Sequence, residues 1–228
     1  MSKKAKILID CGTSYTKIYL LDSKKYEIIP TKDIKRYLKG KTVISATGHN
    51  ARRFASKNMN ELIALAKGAQ KHLSGKHETI IDCGSRDIKY LTWDKEKGVT
   101  IDWNTECGAF CGQVVELLTN FFQFDTDLIA PADKPIPLTC GILGMTRMFD
   151  LIAEDISPDK AFARFIKGLA NNIYQFVGKP KKIYLSGGLC ENKLFLKSFS
   201  KTDVIPLGRF VLLDGLRENL SPHPHKTD

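Results

Sequence analysis

Residues Ile9 to Lys25 read IDCGTSYTKIYLLDSKK, and residues Ile81 to Lys97, 72 positions further on, read IDCGSRDIKYLTWDKEK. Aligned, the two stretches share seven identities over 17 positions: Ile-Asp-Cys-Gly, Lys, Asp and Lys stay in register, and Thr13 is matched by Ser85. Each copy opens on a short apolar run, Ile7-Leu8-Ile9 or Ile80-Ile81, that meets Asp, Cys and Gly and then a small hydroxyl residue. That pattern describes a buried strand running into a tight turn. A second apolar run follows, Ile18-Tyr19-Leu20-Leu21 or Tyr90-Leu91-Thr92-Trp93, and ends at charged residues, so each copy predicts a β-hairpin.

The chemistry of such a turn follows from its glycine. Without a Cβ the backbone approaches a ligand closely, and successive N–H groups form a hollow that holds an anion. One Asp-Gly turn at a strand end is ordinary hairpin chemistry, but the same register repeated points to two hollows gripping one polyphosphate. The strand-end carboxylates Asp10 and Asp82 repel phosphate themselves, so they are expected to hold Mg²⁺ through water or to orient an attacking water. Lys17 is expected to stabilise the phosphate charge.

The rest of the chain frames these hairpins. With 228 residues, 43% hydrophobic and 26% charged, it has the make-up of a globular protein of one large or two small domains. No apolar run approaches the ~20 residues of a membrane span, and Met1-Ser2-Lys3-Lys4 leads into a strand rather than a signal peptide, so a cytoplasmic location is expected. The charge of +10 invites a nucleic-acid reading. However, the lysines fall singly or in pairs along the sequence, without interleaved arginines and aromatics. An acidic protein partner or an anionic nucleotide explains the charge as well, and nucleic acid is not expected.

Further strands are predicted at Glu27-Ile28-Ile29-Pro30, at Thr42 to Gly48 and at Val99 to Trp103. Asn60 to Leu73 has helical spacing behind an Asn cap, and Asp159 to Val177 is the clearest helix, stopped by Gly178 and Pro180. Val114, Val115, Leu117, Leu118, Phe121 and Phe122 predict one apolar helix face. Cys107 and Cys140 each precede a predicted helix, where free N–H groups favour a thiolate. Six cysteines in a reducing compartment leave core filling, reactive thiols and metal ligation open, and no CxxC or ferredoxin spacing decides among them. Cys11, Cys83 and Cys190, beside glycine turns, read as small buried residues.

The hairpins resemble the phosphate 1 and phosphate 2 segments of the actin, sugar kinase and heat-shock chaperone ATPase superfamily. Ile183-Tyr184-Leu185-Ser186-Gly187-Gly188 with Asn192 resembles its adenosine segment. That resemblance implies an α/β protein of two similar actin-like, ribonuclease H-like domains with a nucleotide cleft between them. The first domain is placed at 1–75 with a returning helix near 209–220, the second at 76–207, and a disordered tail at 221–228. It also implies ATP and Mg²⁺, with Gly12, Thr13, Ser14, Gly84, Ser85, Arg86, Asp87, Gly187, Gly188 and Asn192 on the nucleotide and Asp10, Lys17 and Asp82 in catalysis.

Within the superfamily the chain is most similar to the ATP-dependent activators of 2-hydroxyacyl-CoA dehydratases, grouped with the ATPase subunits of benzoyl-CoA reductase. Cys107 and Cys140 match the positions of that family's cluster ligands. The resemblance implies a homodimer sharing one [4Fe-4S] cluster, an electron donor such as ferredoxin or flavodoxin, and a dehydratase or reductase as acceptor. The expected activity is an ATPase coupled to electron transfer. The chain departs from the family at Arg86, where an amide is usual, at Phe110-Cys111-Gly112, and around Met145-Thr146-Arg147, where acidic residues are usual. Two other readings stay open: a sugar or acyl kinase with Asp82 or Asp10 as base, and a nucleotide-binding regulator without a cluster.

Overall fold

A computed structural model describes residues 4–73, 75–104 and 111–220. The chain divides into two compact units, residues 1–74 with 209–228, and residues 75–208. Both predicted hairpins are present, and each is the middle of a sheet.

In the first unit the sheet order is β3-β2-β1-β4. Strands β1 (Ala5–Cys11), β2 (Tyr15–Leu20) and β3 (Lys25–Pro30) form an antiparallel meander, and β4 (Lys41–Thr47) returns parallel to β1. Alternation along the strands gives the sheet two apolar faces. Ile7, Ile9, Cys11 and Ile18 lie on one, covered by the short helix α1 (Ile34–Tyr37) and by a helical turn at Ala51–Arg53. Leu8 and Tyr19 lie on the other, covered by Leu213 and Leu216 of α7 (Val211–Glu218).

Helix α2 (Glu61–Ala69) starts where the Asn60 carboxamide accepts the Leu62 N–H at 2.8 Å, as the sequence predicts, and its last turn tightens into a 3₁₀ turn over Gln70–His72. It packs against α7 at very short range. A Cβ on Gly68 would lie 1.8 Å from the Val211 carbonyl oxygen, and one on Gly215 would lie 2.0 Å from that of Ala64. Each helix therefore needs a glycine where the other's backbone crosses it.

The second unit repeats the plan with order β7-β6-β5-β8-β9. Strands β5 (His77–Cys83), β6 (Ile88–Asp94) and β7 (Gly98–Asn104) form the meander, β8 (Lys182–Gly187) is parallel to β5, and β9 (Asp203–Gly208) extends the sheet. Between β7 and β8 the chain inserts α3 (Cys111–Phe122), α4 (Gly141–Ala153) and α5 (Pro158–Phe176). Phe162, Phe165, Ile166 and Leu169 of α5 pack with Ile81, Cys83, Ile183 and Leu185 into one core. The predicted apolar face of α3 divides: Val114, Val115 and Leu118 are buried, whereas Leu117 and Phe121 stay 57% and 71% exposed. Helix α6 (Lys193–Lys197) follows β8 and buries Leu194 and Phe195. The predicted tail at 221–228 lies outside the described residues.

Candidate nucleotide site

The first hairpin turn is built around a buried ion pair. Asp10, at the inner end of β1, is directly across the ladder from Lys17 on β2, and Lys17 Nζ donates to Asp10 Oδ2 at 2.8 Å. Asp10 is 3% exposed. The turn Gly12-Thr13-Ser14 leaves these two groups behind it, and Gly12 N–H donates to the Asp10 carbonyl at 3.2 Å. From the 3₁₀ turn that follows β3, Thr31–Asp33, a clamp arrives that the sequence reading missed. The Thr31 hydroxyl donates to the Gly12 carbonyl at 2.8 Å and shares a 3.0 Å bond with the Thr16 hydroxyl, while Thr31 N–H donates to the Ser14 carbonyl at 2.9 Å. Thr16 lies in β2 and Thr31 opens the 3₁₀ turn after β3, so only the fold brings their hydroxyls to the turn. Arg209 stacks over the Tyr15 ring, 5.5 Å from its centroid.

The second turn repeats the plan and adds a carboxylate in the turn itself. Asp82 again ends the central strand, buried at 7% exposure and across the ladder from Lys89. Lys89 Nζ, however, reaches Asp87 Oδ2 in the turn at 2.6 Å. In the second unit the shared lysine thus holds a turn carboxylate that the first turn lacks. Gly84 N–H donates to the Asp87 carbonyl at 3.0 Å, Ser85 follows, and Arg86 is exposed. This turn is braced by the start of α3: Gln113 N–H donates to the Ser85 carbonyl at 3.1 Å, and a Cβ on Gly112 would lie 2.5 Å from the Gly84 carbonyl oxygen.

The duplication also extends further than the 72-residue repeat shows. Gly48 follows β4 with φ of +98° and Gly187 ends β8 with φ of +94°. A Cβ on Gly48 would meet the Cys11 carbonyl oxygen at 2.5 Å, and one on Gly187 the Cys83 carbonyl oxygen at 2.3 Å. In both units, then, the strand parallel to the central one ends on a left-handed glycine laid against the Cys of Asp-Cys-Gly. Gly188 N–H donates to the Cys83 carbonyl at 3.0 Å, which places the Gly187-Gly188 pair beside the second turn. His49 is exposed just beyond Gly48.

Asn192 stands apart from this group. Its Oδ1 accepts the Phe195 N–H at 2.9 Å as the N-cap of α6, and its Nδ2 donates to the Thr126 hydroxyl at 3.4 Å, so the side chain has a structural employment beside any ligand role.

Cys11, Cys83 and Cys190 are buried, as expected of core residues, and Cys140 is buried as well. Burial pushes the Cys11 thiol up, with Asp10 adding to the rise against a hydrogen bond from Thr16, so this thiol stays protonated. Cys140 is the N-cap of α4, and its Sγ accepts the Leu143 N–H at 3.4 Å. An N–H aimed at sulfur suits a thiolate ligand. Cys107 lies outside the described residues, and α3 begins after it at Cys111. Among the described residues, no three of His, Cys, Asp and Glu gather as a metal site. Beside Cys140, Ile142 and Leu143 on α4 are exposed, as are Leu117 and Phe121 on α3, and the Phe121 and Phe149 rings meet edge-on at 6.2 Å between centroids.

No family profile matches the sequence. An uncharacterised protein of Methanocaldococcus jannaschii is 24% identical over 218 aligned positions, covering 85% of this chain and 89% of that one. Among solved structures, the activator of the 2-hydroxyisocaproyl-CoA dehydratase from Clostridium difficile with bound ADPNP superposes with a TM-score of 0.71 at 16% identity, covering 92% of each chain. Component A of the (R)-2-hydroxyglutaryl-CoA dehydratase of Acidaminococcus fermentans gives 0.70 at 18% identity, covering 93% of this chain and 95% of that one. A ROK family glucokinase of Streptomyces griseus in complex with glucose and AMPPNP gives 0.50 at 11%, with 94% and 98% covered. No helix among the described residues is long and apolar enough to cross a membrane. With its two duplicated sheets and these structural neighbours, the chain has the α/β fold of the actin-like ATPases.

Proposed function

We propose that this protein binds Mg·ATP at its two Asp-Cys-Gly turns and works as an ATP-dependent activator of a 2-hydroxyacyl-CoA dehydratase-like or benzoyl-CoA reductase-like enzyme. The observation that carries the reading is the twofold construction of the turn. In each unit a buried strand-end carboxylate stands behind a glycine turn, and a left-handed glycine from the parallel neighbour lies against the intervening Cys. Asp-Gly turns of ordinary hairpins have no reason to share that third element.

In this reading the N–H groups of Thr13 and Ser14 and of Ser85 and Arg86 take the phosphate oxygens. Lys17 supplies a positive charge held in place by Asp10, and Asp82 orients the attacking water or a water of the metal. Gly187 and Gly188 lie where an adenosine passes close to backbone, and Asp87 sets the second turn through its carbonyl bond to Gly84. Arg86 stands where the activator family has an amide, and this departure is expected to slow turnover.

Cys140, with an N–H on its sulfur, fits a cluster ligand, and Cys107 is proposed as the second. Two thiolates per chain are half of a [4Fe-4S] site, so two copies are needed. The exposed apolar patch on α3 and α4 beside Cys140 supports a homodimer there. A bound cluster supplies one-electron transfer, from a donor such as ferredoxin or flavodoxin to the acceptor enzyme.

Calorimetry with Mg·ATP on Gly12→Val and Gly84→Val, together with iron counts on anaerobically purified protein, tests this. ATP affinity is expected to vanish in both variants while far-ultraviolet circular dichroism is kept. About four irons per dimer are expected, and they should be lost in Cys140→Ala but kept in Cys11→Ala, Cys83→Ala and Cys190→Ala. Colourless protein that phosphorylates a sugar or acyl acceptor would replace the activator with a kinase.

A further inference from the structure

The net charge is carried by one unit. Residues 1–74 and 209–228 hold 19 lysines and arginines against 8 aspartates and glutamates, whereas residues 75–208 hold 16 against 17. Within the first unit the excess gathers on one side. Residues 31–57 contain eight basic residues and a single acidic one, Asp33, which pairs with Arg36 at 3.6 Å.

That segment forms the cover over the Ile7, Ile9 and Ile18 face. Ile34, Tyr37 and Leu38 of the crossover, and Ala51, Phe54 and Ala55 of the following turn, pack inward on that face. The remaining side chains of the same cover face outward, so Lys32, Lys35, Arg36, Lys39, Arg52 and Arg53 are all exposed on one surface. Residues scattered singly along the sequence become a patch because both covering segments spend their apolar side chains on the same face.

The nucleotide does not account for this patch. Asp10 and Lys17 lie on the Leu8 and Tyr19 face of the sheet, opposite to the one this cover protects. A triphosphate at the turn meets Lys17 and backbone N–H groups and leaves Lys32, Lys35 and Lys39 to other work.

We propose that this basic face of the first unit is the docking surface for an acidic protein. Two features favour protein over nucleic acid. The cover offers no stacking platform, since Tyr37 and Phe54 are turned inward onto the core. Its only α-helix is the four-residue Ile34–Tyr37, too short to lie along a major groove. Exposed lysines on flexible stems suit long-range steering of a complementary protein surface, which raises the association rate and is screened by salt. The proposal stands on the charge distribution alone and does not depend on the nucleotide reading.

The test uses the full-length protein and two fluorescent probes, poly-L-glutamate of about 50 residues and a 20-base-pair DNA duplex, by anisotropy at about 50 and 200 mM salt. The patch variant is K32E/K35E/K39E, and the control is K160E/K181E/K201E, which changes net charge equally on exposed positions of the second unit. Wild type and control are expected to bind poly-glutamate within about threefold of each other, and the patch variant at least about tenfold more weakly, with the difference shrinking at the higher salt. Far-ultraviolet circular dichroism and urea unfolding unchanged from wild type show that the patch variant is folded, a readout that holds whether or not the nucleotide reading does. Equal loss in patch variant and control, or no poly-glutamate binding at low salt, overturns the docking surface. Tighter binding of the duplex than of poly-glutamate, lost with the same three lysines, replaces the acidic protein with nucleic acid.

Discussion

Replacing Gly12 and Gly84 separately by alanine separates the two turns, because the structure gives the added methyl group different neighbours. At Gly12 the Cβ would stand 2.6 Å from the Tyr15 carbonyl oxygen, where ordinary contact begins at 3.4 Å, so the turn must open by about 0.8 Å. Nothing flexible is available to yield: the obstacle is backbone, and the Gly12 carbonyl is held at 2.8 Å by Thr31. Overpacking of this kind costs about 1–3 kcal/mol. At Gly84 the nearest atoms are Asp87 Oδ1 at 3.0 Å and the Asp87 carbonyl at 3.2 Å, so a small rotation of one carboxylate relieves most of the crowding. That cost is about 0.5 kcal/mol. Because the strained N–H groups are those assigned to phosphate, Gly12→Ala should weaken Mg·ATP binding by about 10- to 30-fold and Gly84→Ala by no more than about threefold. Calorimetry gives the affinities and urea unfolding the stabilities. Equal losses in the two variants, or a larger loss at Gly84, would refute the argument that the first turn is the more tightly built.

Other variants address single contacts. Lys17→Met leaves Asp10 buried without its cation and should cost about 3 kcal/mol in urea unfolding, and adding Asp10→Asn should restore most of that; absence of restoration would mean that Lys17 acts on something other than Asp10. Asn192→Ala removes the α6 cap and should cost about 1 kcal/mol, whereas Asn192→Asp, which keeps the acceptor, should stay near wild type. The Asp94 carboxyl is held down at about 2 by the N–H groups of Lys97 and Glu96 and by His77. Its contribution to the β6–β7 turn is therefore complete above the ordinary carboxylate range near ~4 and is lost as pH falls toward that lower value. A carboxyl ¹³C titration of Asp94 with a midpoint near ~4 would show that the turn does not hold it.

The parts of this fold legible in the sequence are those written in local periodicity. The hairpins, the Asn60 cap, helix α5 and the Cys140 helix start each depend on neighbours a few residues away. The Gly48 and Gly187 correspondence was not legible because the spacing differs. A short crossover joins β3 to β4, whereas three helices are inserted between β7 and β8, so the two glycines are 139 residues apart instead of 72. The α3 face was read too broadly for a related reason. Hydrophobicity marks Leu117 and Phe121 as apolar, and what covers them is decided by neighbouring elements rather than by the helix itself. The Lys89 bond to Asp87 joins a strand lysine to a turn carboxylate that the first copy lacks, so the alignment of the two copies does not reveal it.

The α2 and α7 interlock has a consequence for how the chain is made. The first unit is discontinuous: β1 to β4 and α2 leave the ribosome early, but Leu8 and Tyr19 receive their cover only when Leu213 and Leu216 are translated. The second unit is contiguous over residues 75–208, so its core closes while the first is still half dressed. At about 5–20 residues per second, the interval between α2 and α7 leaves the uncovered sheet exposed for roughly 7–28 s. Truncation before residue 211 makes that exposure permanent, so a nascent chain stalled there leaves Leu8 and Tyr19 without Leu213 and Leu216.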